Sequence, residues 1–143
     1  MSTEKTIYST SATVSGGRTG TVTSEDGHLS LQLSVPREMG GPGGEGTNPE
    51  QLFAAGYAAC FQSALGLVGR RRGVDTSSST ITGTVGMHPN GQGGFKLSVK
   101  LAVSLPGIER EVAEQLLAQA HEVCPYSNAV RGNVDVDLVV VEQ

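Results

Sequence analysis

Three observations predict an α+β fold. Short alternating runs separated by turn residues fill the first third of the chain. A long, almost wholly apolar helix follows, and after it come a second hairpin, an amphipathic helix and a closing strand. Strand runs and helix runs that do not alternate regularly belong to α+β architectures rather than to a parallel α/β sheet. The expected arrangement is antiparallel sheets packed on a buried central helix. A chain of 143 residues fits one domain, residues 1–143, around a single moderate core.

The elements follow in order. "IYSTSATV" runs to Gly16-Gly17, "TGTVTS" to Asp26-Gly27, and "LSLQLSV" stops at Pro36. Asp-Gly between two alternating runs is a strong hairpin signal, so these runs predict a three-stranded meander. "GGPGGEGTNPEQ" lacks the Gly-Lys-Ser/Thr of a phosphate-binding loop and reads as a flexible, tight-turning connection. Asn48 then suits an N-cap, Pro49 the first helical position and Gln51 the capping-box position. The helix is expected to reach about Gly69, roughly 30 Å. Being apolar on all sides, it is expected to be covered on all sides. "STITGTVGM" and "GFKLSVKLAVSL" flank Asn90-Gly91 as a second hairpin. Within "IEREVAEQLLAQAHEV", Val112, Leu116, Leu117 and Ala120 share one face. Cys124-Pro125 interrupts that helix, "YSNAVRG" forms a short further one, and "VDVDLVVV" closes the chain as a strand.

Composition narrows function. The net charge is −4 and 4% of residues are aromatic, whereas nucleic-acid binding favours a basic footprint and stacking rings. Arg70, Arg71 and Arg72 read as solvated charges at the negative end of the helix dipole. The start "MSTEKTIYST" has no basic-then-apolar leader, and no stretch of spanning length is free of polar residues. The expectation is a cytoplasmic protein that engages neither membrane nor nucleic acid. Two cysteines are too few for a disulfide scaffold, and in that compartment a pair suggests redox or metal chemistry.

Cys60, in the middle of "AAGYAACFQSALG", fits either a buried apolar filler or a reactive thiol. The start of its own helix lies about 16 Å away, too far for the dipole to activate it, so a thiolate there needs a cation from elsewhere. Cys124 precedes Pro125 and can cap the short helix, where free N–H groups favour a thiolate. His121 and Cys124 have a zinc-compatible spacing that Cys60 and His88 or His28 could complete, but no second close pair accompanies it. A Cys–His hydrolase also stays open on these residues.

"TNPEQLFAAGYAACFQSAL" together with "EVCPYSN" closely resembles the organic hydroperoxide resistance proteins of the osmotically inducible protein C superfamily. The likeness extends to "SGGRTG" and the glycine-rich loop, and so covers essentially the whole chain. It implies an osmotically inducible protein C-like fold in an intertwined homodimer, with the site at the interface. It implies a thiol-dependent peroxidase, active in the oxidative stress response without cofactor or metal. Its substrates would be alkyl and fatty-acid hydroperoxides, with the Ala-rich helix as an apolar wall. By motif, Cys60 corresponds to the peroxidatic cysteine and Cys124 to the resolving one, with which it forms a redox-active disulfide. Arg18 corresponds to the residue contacting the thiolate, and Glu50 to the carboxylate holding that arginine. A dithiol, typically the lipoyl group of a lipoylated protein, recycles such enzymes. A non-enzymatic thiol sensor or ligand-binding member of the same superfamily is the alternative, and repeated peroxide turnover with a dithiol separates it from the enzyme.

Overall fold

The computed structural model describes residues 4–141. It resolves two compact units, one up to Pro49 and one from Glu50 onward. The first is the expected meander. Strands β1 (Ala12–Ser15), β2 (Thr21–Ser24) and β3 (Ser30–Gln32) form an antiparallel sheet in that order. Asp26 closes the second turn by accepting hydrogen bonds from the Ser24 hydroxyl and the His28 N–H, while Gly27 takes φ 78°. The glycine-rich connection is not loose. Thr47 bridges to Leu33 in parallel register, and the Gly46 N–H donates to Ser34 Oγ, so the loop is stitched along the end of β3.

This unit has little core. Val22 and Leu33 are its buried apolar side chains among the described residues, while Ile7, Tyr8, Val14 and Leu31 stand exposed. Burying a side chain of that size contributes about 1.5–3 kcal/mol. Ordering each residue costs roughly 1–2 kcal/mol in backbone entropy. Two such side chains cannot hold some 45 residues, so the unit depends on cover from outside itself.

The second unit begins with α1 (Pro49–Arg71), two residues longer than expected. It stops at Gly73, whose φ of 70° lets its N–H and that of Val74 turn back to the carbonyls of Arg70 and Gly69. Strands β4 (Thr80–Pro89) and β5 (Phe95–Ser104) form the second hairpin. The Asn90 side-chain oxygen organises its turn by accepting from the Gln92 and Gly94 N–H groups. Helices α2 (Arg110–Val123) and α3 (Pro125–Val130) then carry the chain back to β6 (Val136–Val140). That crossover returns β6 in the same direction as β5, pairing Val99 with Val136 and Leu101 with Leu138 in parallel. The second sheet is therefore mixed, because two helices rather than a tight turn make its last connection.

Tyr57, Phe61, Leu65 and Val68 form a stripe on α1 that joins Val99, Leu101 and Val103 of β5 and Ala113, Leu116, Leu117 and Ala120 of α2 in one core. The all-round cover expected for α1 is absent in the single chain. Ala55, Ala59, Gln62 and Ser63 on its opposite flank are exposed, and the last three border an open groove of about 600 Å³. Over an 18-residue window α1 has mean hydropathy 1.4, so it is long and apolar enough to cross a membrane, a property that core helices share.

Close packing of α1 on β4 depends on Gly83, where an added Cβ would lie 2.9 Å from the Ala54 carbonyl oxygen. Gly83→Val should cost about 1–3 kcal/mol through overpacking. A lower urea midpoint at unchanged slope checks this.

Candidate active site

Two thiols remote in sequence meet in the second unit. Cys60 lies midway along α1 and Cys124 at the elbow between α2 and α3, with their sulfurs 3.6 Å apart and the Cys124 S–H directed at Cys60. Both are free; Cys60 is partly exposed and Cys124 wholly buried.

The elbow is built from the sequence Cys124-Pro125. Cys124 is extended (φ −64°, ψ 122°) and Pro125 opens α3 with no N–H to continue α2. Side chains of α3 then satisfy the end of α2. Asn128 Nδ2 donates to the Glu122 carbonyl at 3.2 Å, and Arg131 Nη2 to the His121 carbonyl at 2.5 Å. Arg131 Nη1 also donates to Asn128 Oδ1.

The expectation that the Cys124 sulfur caps α3 needs correcting. Its backbone occupies the cap position, but its side chain makes no capping bond. Pro125 leaves Tyr126 as the first free donor of α3, and that N–H bonds to the Cys60 sulfur instead. The short helix thus favours a thiolate at the other cysteine. The balance in this unit still goes against ionisation. Burial pushes the Cys60 thiol up, the Tyr126 N–H draws it down, and the neighbouring Cys124 raises it again. The described part of this unit positions the sulfur without activating it.

Beside it stands an aromatic cluster that the sequence reading missed. Tyr126 packs 5.6 Å from Tyr57 and 6.0 Å from Phe53, centroid to centroid. Gly56 makes room, since a Cβ there would come within 2.7 Å of the Tyr126 hydroxyl. Tyr57 is fully buried, whereas Tyr126 is 37% exposed.

A chain of polar side chains, also missed, runs behind the sulfurs. Tyr57 Oη lies 2.7 Å from Ser127 Oγ, which lies 2.8 Å from His121 Nδ1. The signal was spacing, because Tyr57 precedes Cys60 by one helical turn while His121 and Ser127 bracket Cys124 at the same interval. Burial foremost, then the Arg131 charge, lowers the His121 pKa, and the Glu122 charge opposes them.

The other expected site residues are placed as follows. Arg18 is half-buried in a 3-10 turn, Gly17–Thr19, between β1 and β2. Gly16 and Gly17 adopt φ 84° and 56° there, and a Cβ on Gly20 would overlap the Ser15 carbonyl. The "SGGRTG" motif therefore dictates the turn that presents Arg18. Glu50 is in the first turn of α1. That helix is unbroken from Glu50 to Cys60, so the two lie about 15 Å apart along its axis. For the zinc alternative, no three or more His, Cys, Asp or Glu side chains converge among the described residues. His88 bonds to Ser98 at 2.7 Å and His28 pairs with Asp26 at 3.2 Å.

Comparison with known proteins bears on this arrangement. The sequence profile described as OsmC-like protein matches residues 41–139. The organic hydroperoxide resistance protein of Xanthomonas axonopodis pv. citri is 48% identical over 140 residues, 96% of each chain. The crystal structure of the organic hydroperoxide resistance protein OhrB of Bacillus subtilis superposes with TM-score 0.87 at 44% identity, covering 95% of this chain and 100% of that one. That of an organic hydroperoxide resistance protein from Elizabethkingia anophelis, with bound thiocyanate, gives TM-score 0.92 at 46% identity, covering 98% and 100%.

The His121 environment yields a pH dependence. Its pKa is lower in the folded than in the unfolded chain, so the unfolded chain takes the proton first. The stability it contributes is complete above the unfolded value near 6.5 and is lost as pH falls toward the folded one. Asp26 and Asp75, drawn down chiefly by the His28 N–H and the Ser77 hydroxyl respectively, titrate well below this window. The thermal midpoint should fall between pH 7 and about 5.5, and His121→Asn should flatten that fall.

Proposed function

The chain belongs to the family of OsmC-like proteins, and from that premise we propose that it is a cysteine-based peroxidase that reduces organic hydroperoxides to alcohols. Relatives named organic hydroperoxide resistance protein support a role in organic hydroperoxide resistance. The observation that carries the cysteine mechanism is the 3.6 Å approach of a partly exposed thiol and a wholly buried one.

Exposure supports the proposed roles. Peroxide reaches Cys60, whose thiolate attacks the terminal peroxide oxygen. The O–O bond breaks, the leaving alkoxide takes a proton to become the alcohol, and Cys60 becomes a sulfenic acid. Cys124 then condenses with it, expelling water and forming a disulfide. The sulfurs need only close from 3.6 Å to about 2.05 Å. An external dithiol such as a lipoyl group reopens the disulfide by exchange, so the cycle requires no metal or cofactor. The exposed flank of Tyr126 and the partly buried Phe53 supply the apolar wall, in place of the Ala-rich flank of α1. We assign this activity to the cytoplasm.

Activation is the role given to Arg18. Lowering a thiol pKa by three units needs about 4 kcal/mol, and an exposed ion pair supplies no more than about 1 kcal/mol. Arg18 must therefore act largely out of water, held by the carboxylate of Glu50 through matched fork geometry. About 15 Å of unbroken helix keeps Glu50 from its own Cys60. A homodimer in which each Glu50 serves the partner's site resolves this. The exposed small-residue flank of α1 and the core-poor first unit both favour a second copy as cover.

Two experiments test the proposal. With tert-butyl hydroperoxide and a dithiol, the native protein should turn over repeatedly and Cys60→Ser should not turn over at all. Cys124→Ser should stop after one equivalent, with a dimedone-reactive sulfenic acid at Cys60. Absence of label alongside continued turnover would exchange the roles. Mixing inactive Cys60→Ser with inactive Glu50→Ala subunits should restore activity through one intact site per heterodimer, and no rescue in verified heterodimers would place Glu50 in cis.

A further inference from the structure

We propose that the buried chain Tyr57–Ser127–His121 positions the resolving cysteine, so that Ser127 governs how fast the Cys60–Cys124 disulfide closes without governing how fast Cys60 reacts with peroxide. This rests on the reading of Cys60 and Cys124 as peroxidatic and resolving thiols.

The argument starts from what Ser127 joins. Tyr57 is on α1, one turn before Cys60, and His121 is on α2, one turn before Cys124. Ser127, on α3 one turn after Cys124, bonds to both, at 2.7 Å and 2.8 Å. One fully buried hydroxyl thus links the helix bearing one sulfur to both helices that meet at the other. Tyr57 and Ser127 are completely buried, so neither can touch substrate.

The polarity of the chain follows from proton counting. With Tyr57 donating to Ser127 and Ser127 donating to Nδ1, every hydroxyl proton has an acceptor and His121 keeps its own proton on Nε2. In the reverse order the buried Tyr57 proton needs a further acceptor, and no other bond to Tyr57 Oη is present among the described residues. An unmet buried donor is costly, so the first order prevails. Disulfide closure tolerates only a narrow range of separations and orientations. Attack on peroxide needs Cys60 alone. Loosening the elbow therefore slows the second step selectively.

The test resolves the two steps. With one equivalent of cumene hydroperoxide, rapid-mixing kinetics follow peroxide loss, and intact mass follows sulfenic acid and disulfide. Ser127→Ala should consume peroxide within about twofold of the native rate while closing the disulfide about tenfold or more slowly. Under excess peroxide it should accumulate sulfinic acid at Cys60. Tyr57→Phe keeps the ring and the Ser127–His121 bond, so it guards against misfolding in Ser127→Ala, and it should slow closure in the same direction. His121→Asn, which retains an acceptor near the Nδ1 position, should close faster than His121→Leu. Reduced stability alone does not separate the two steps. Native-like closure in folded Ser127→Ala and Tyr57→Phe overturns the proposal and leaves the peroxidase standing. Failure of the native protein to form the disulfide, or of Cys124→Ser to trap the sulfenic acid, overturns both.

Discussion

Pro125 cannot donate a backbone hydrogen bond, and because of that one missing N–H helix α2 ends at Cys124 and α3 departs in a new direction. The rest of the thiol chemistry follows from the elbow. An extended residue at the bend turns its side chain into the core, where it meets α1. The donor next in line is freed for the sulfur on that helix. The side chains of Asn128 and Arg131, folded back on the last carbonyls of α2, keep the bend from being only a flexible joint.

In the proposed mechanism, positioning and activation are thereby separated in the molecule. The second unit brings a partly exposed thiol and a buried one together, and partial burial penalises the thiolate at Cys60. If Cys60 is the nucleophile, as proposed, a thiol whose surroundings disfavour the thiolate needs charge from elsewhere. The cationic residue with a dedicated, glycine-shaped turn is in the first unit, which cannot stand on its own two buried side chains. In the proposed homodimer, one assembly would meet both the need for charge and the need for cover.

Much of this was legible in the sequence because it is set by local chemistry. Asp26-Gly27 and Asn90-Gly91 mark real hairpins, and Pro49 opens α1, which ends two residues past the expected Gly69. The cysteines are legible through their motifs, and their proximity is what those motifs imply. What escaped depends on through-space placement. The parallel seating of β6 is decided by the α2–α3 crossover, and "VDVDLVVV" reads the same in either direction of pairing. The target of the α3 N–H groups depends on where α1 passes, which no local pattern encodes. The bonds stitching "GGPGGEGTNPEQ" to β3 run between backbone groups and leave no residue signature beyond Ser34. Tyr57, Ser127 and His121 are spaced to meet, but only the packed helices reveal that they do.

Helix α1 has a consequence for synthesis on the ribosome. Its apolar stripe is covered by β5 and α2, both of which lie after it in the chain. Translation proceeds at about 5–20 residues per second, so the segment from Arg71 to Val123 takes about 3–10 s to appear. Throughout that interval an 18-residue window of mean hydropathy 1.4 is outside the tunnel or entering it without its packing partners. Exposed surface of this kind is aggregation-prone and is what holding chaperones bind. The helix that carries Cys60 is, for those seconds, the part of the nascent chain most in need of a temporary host.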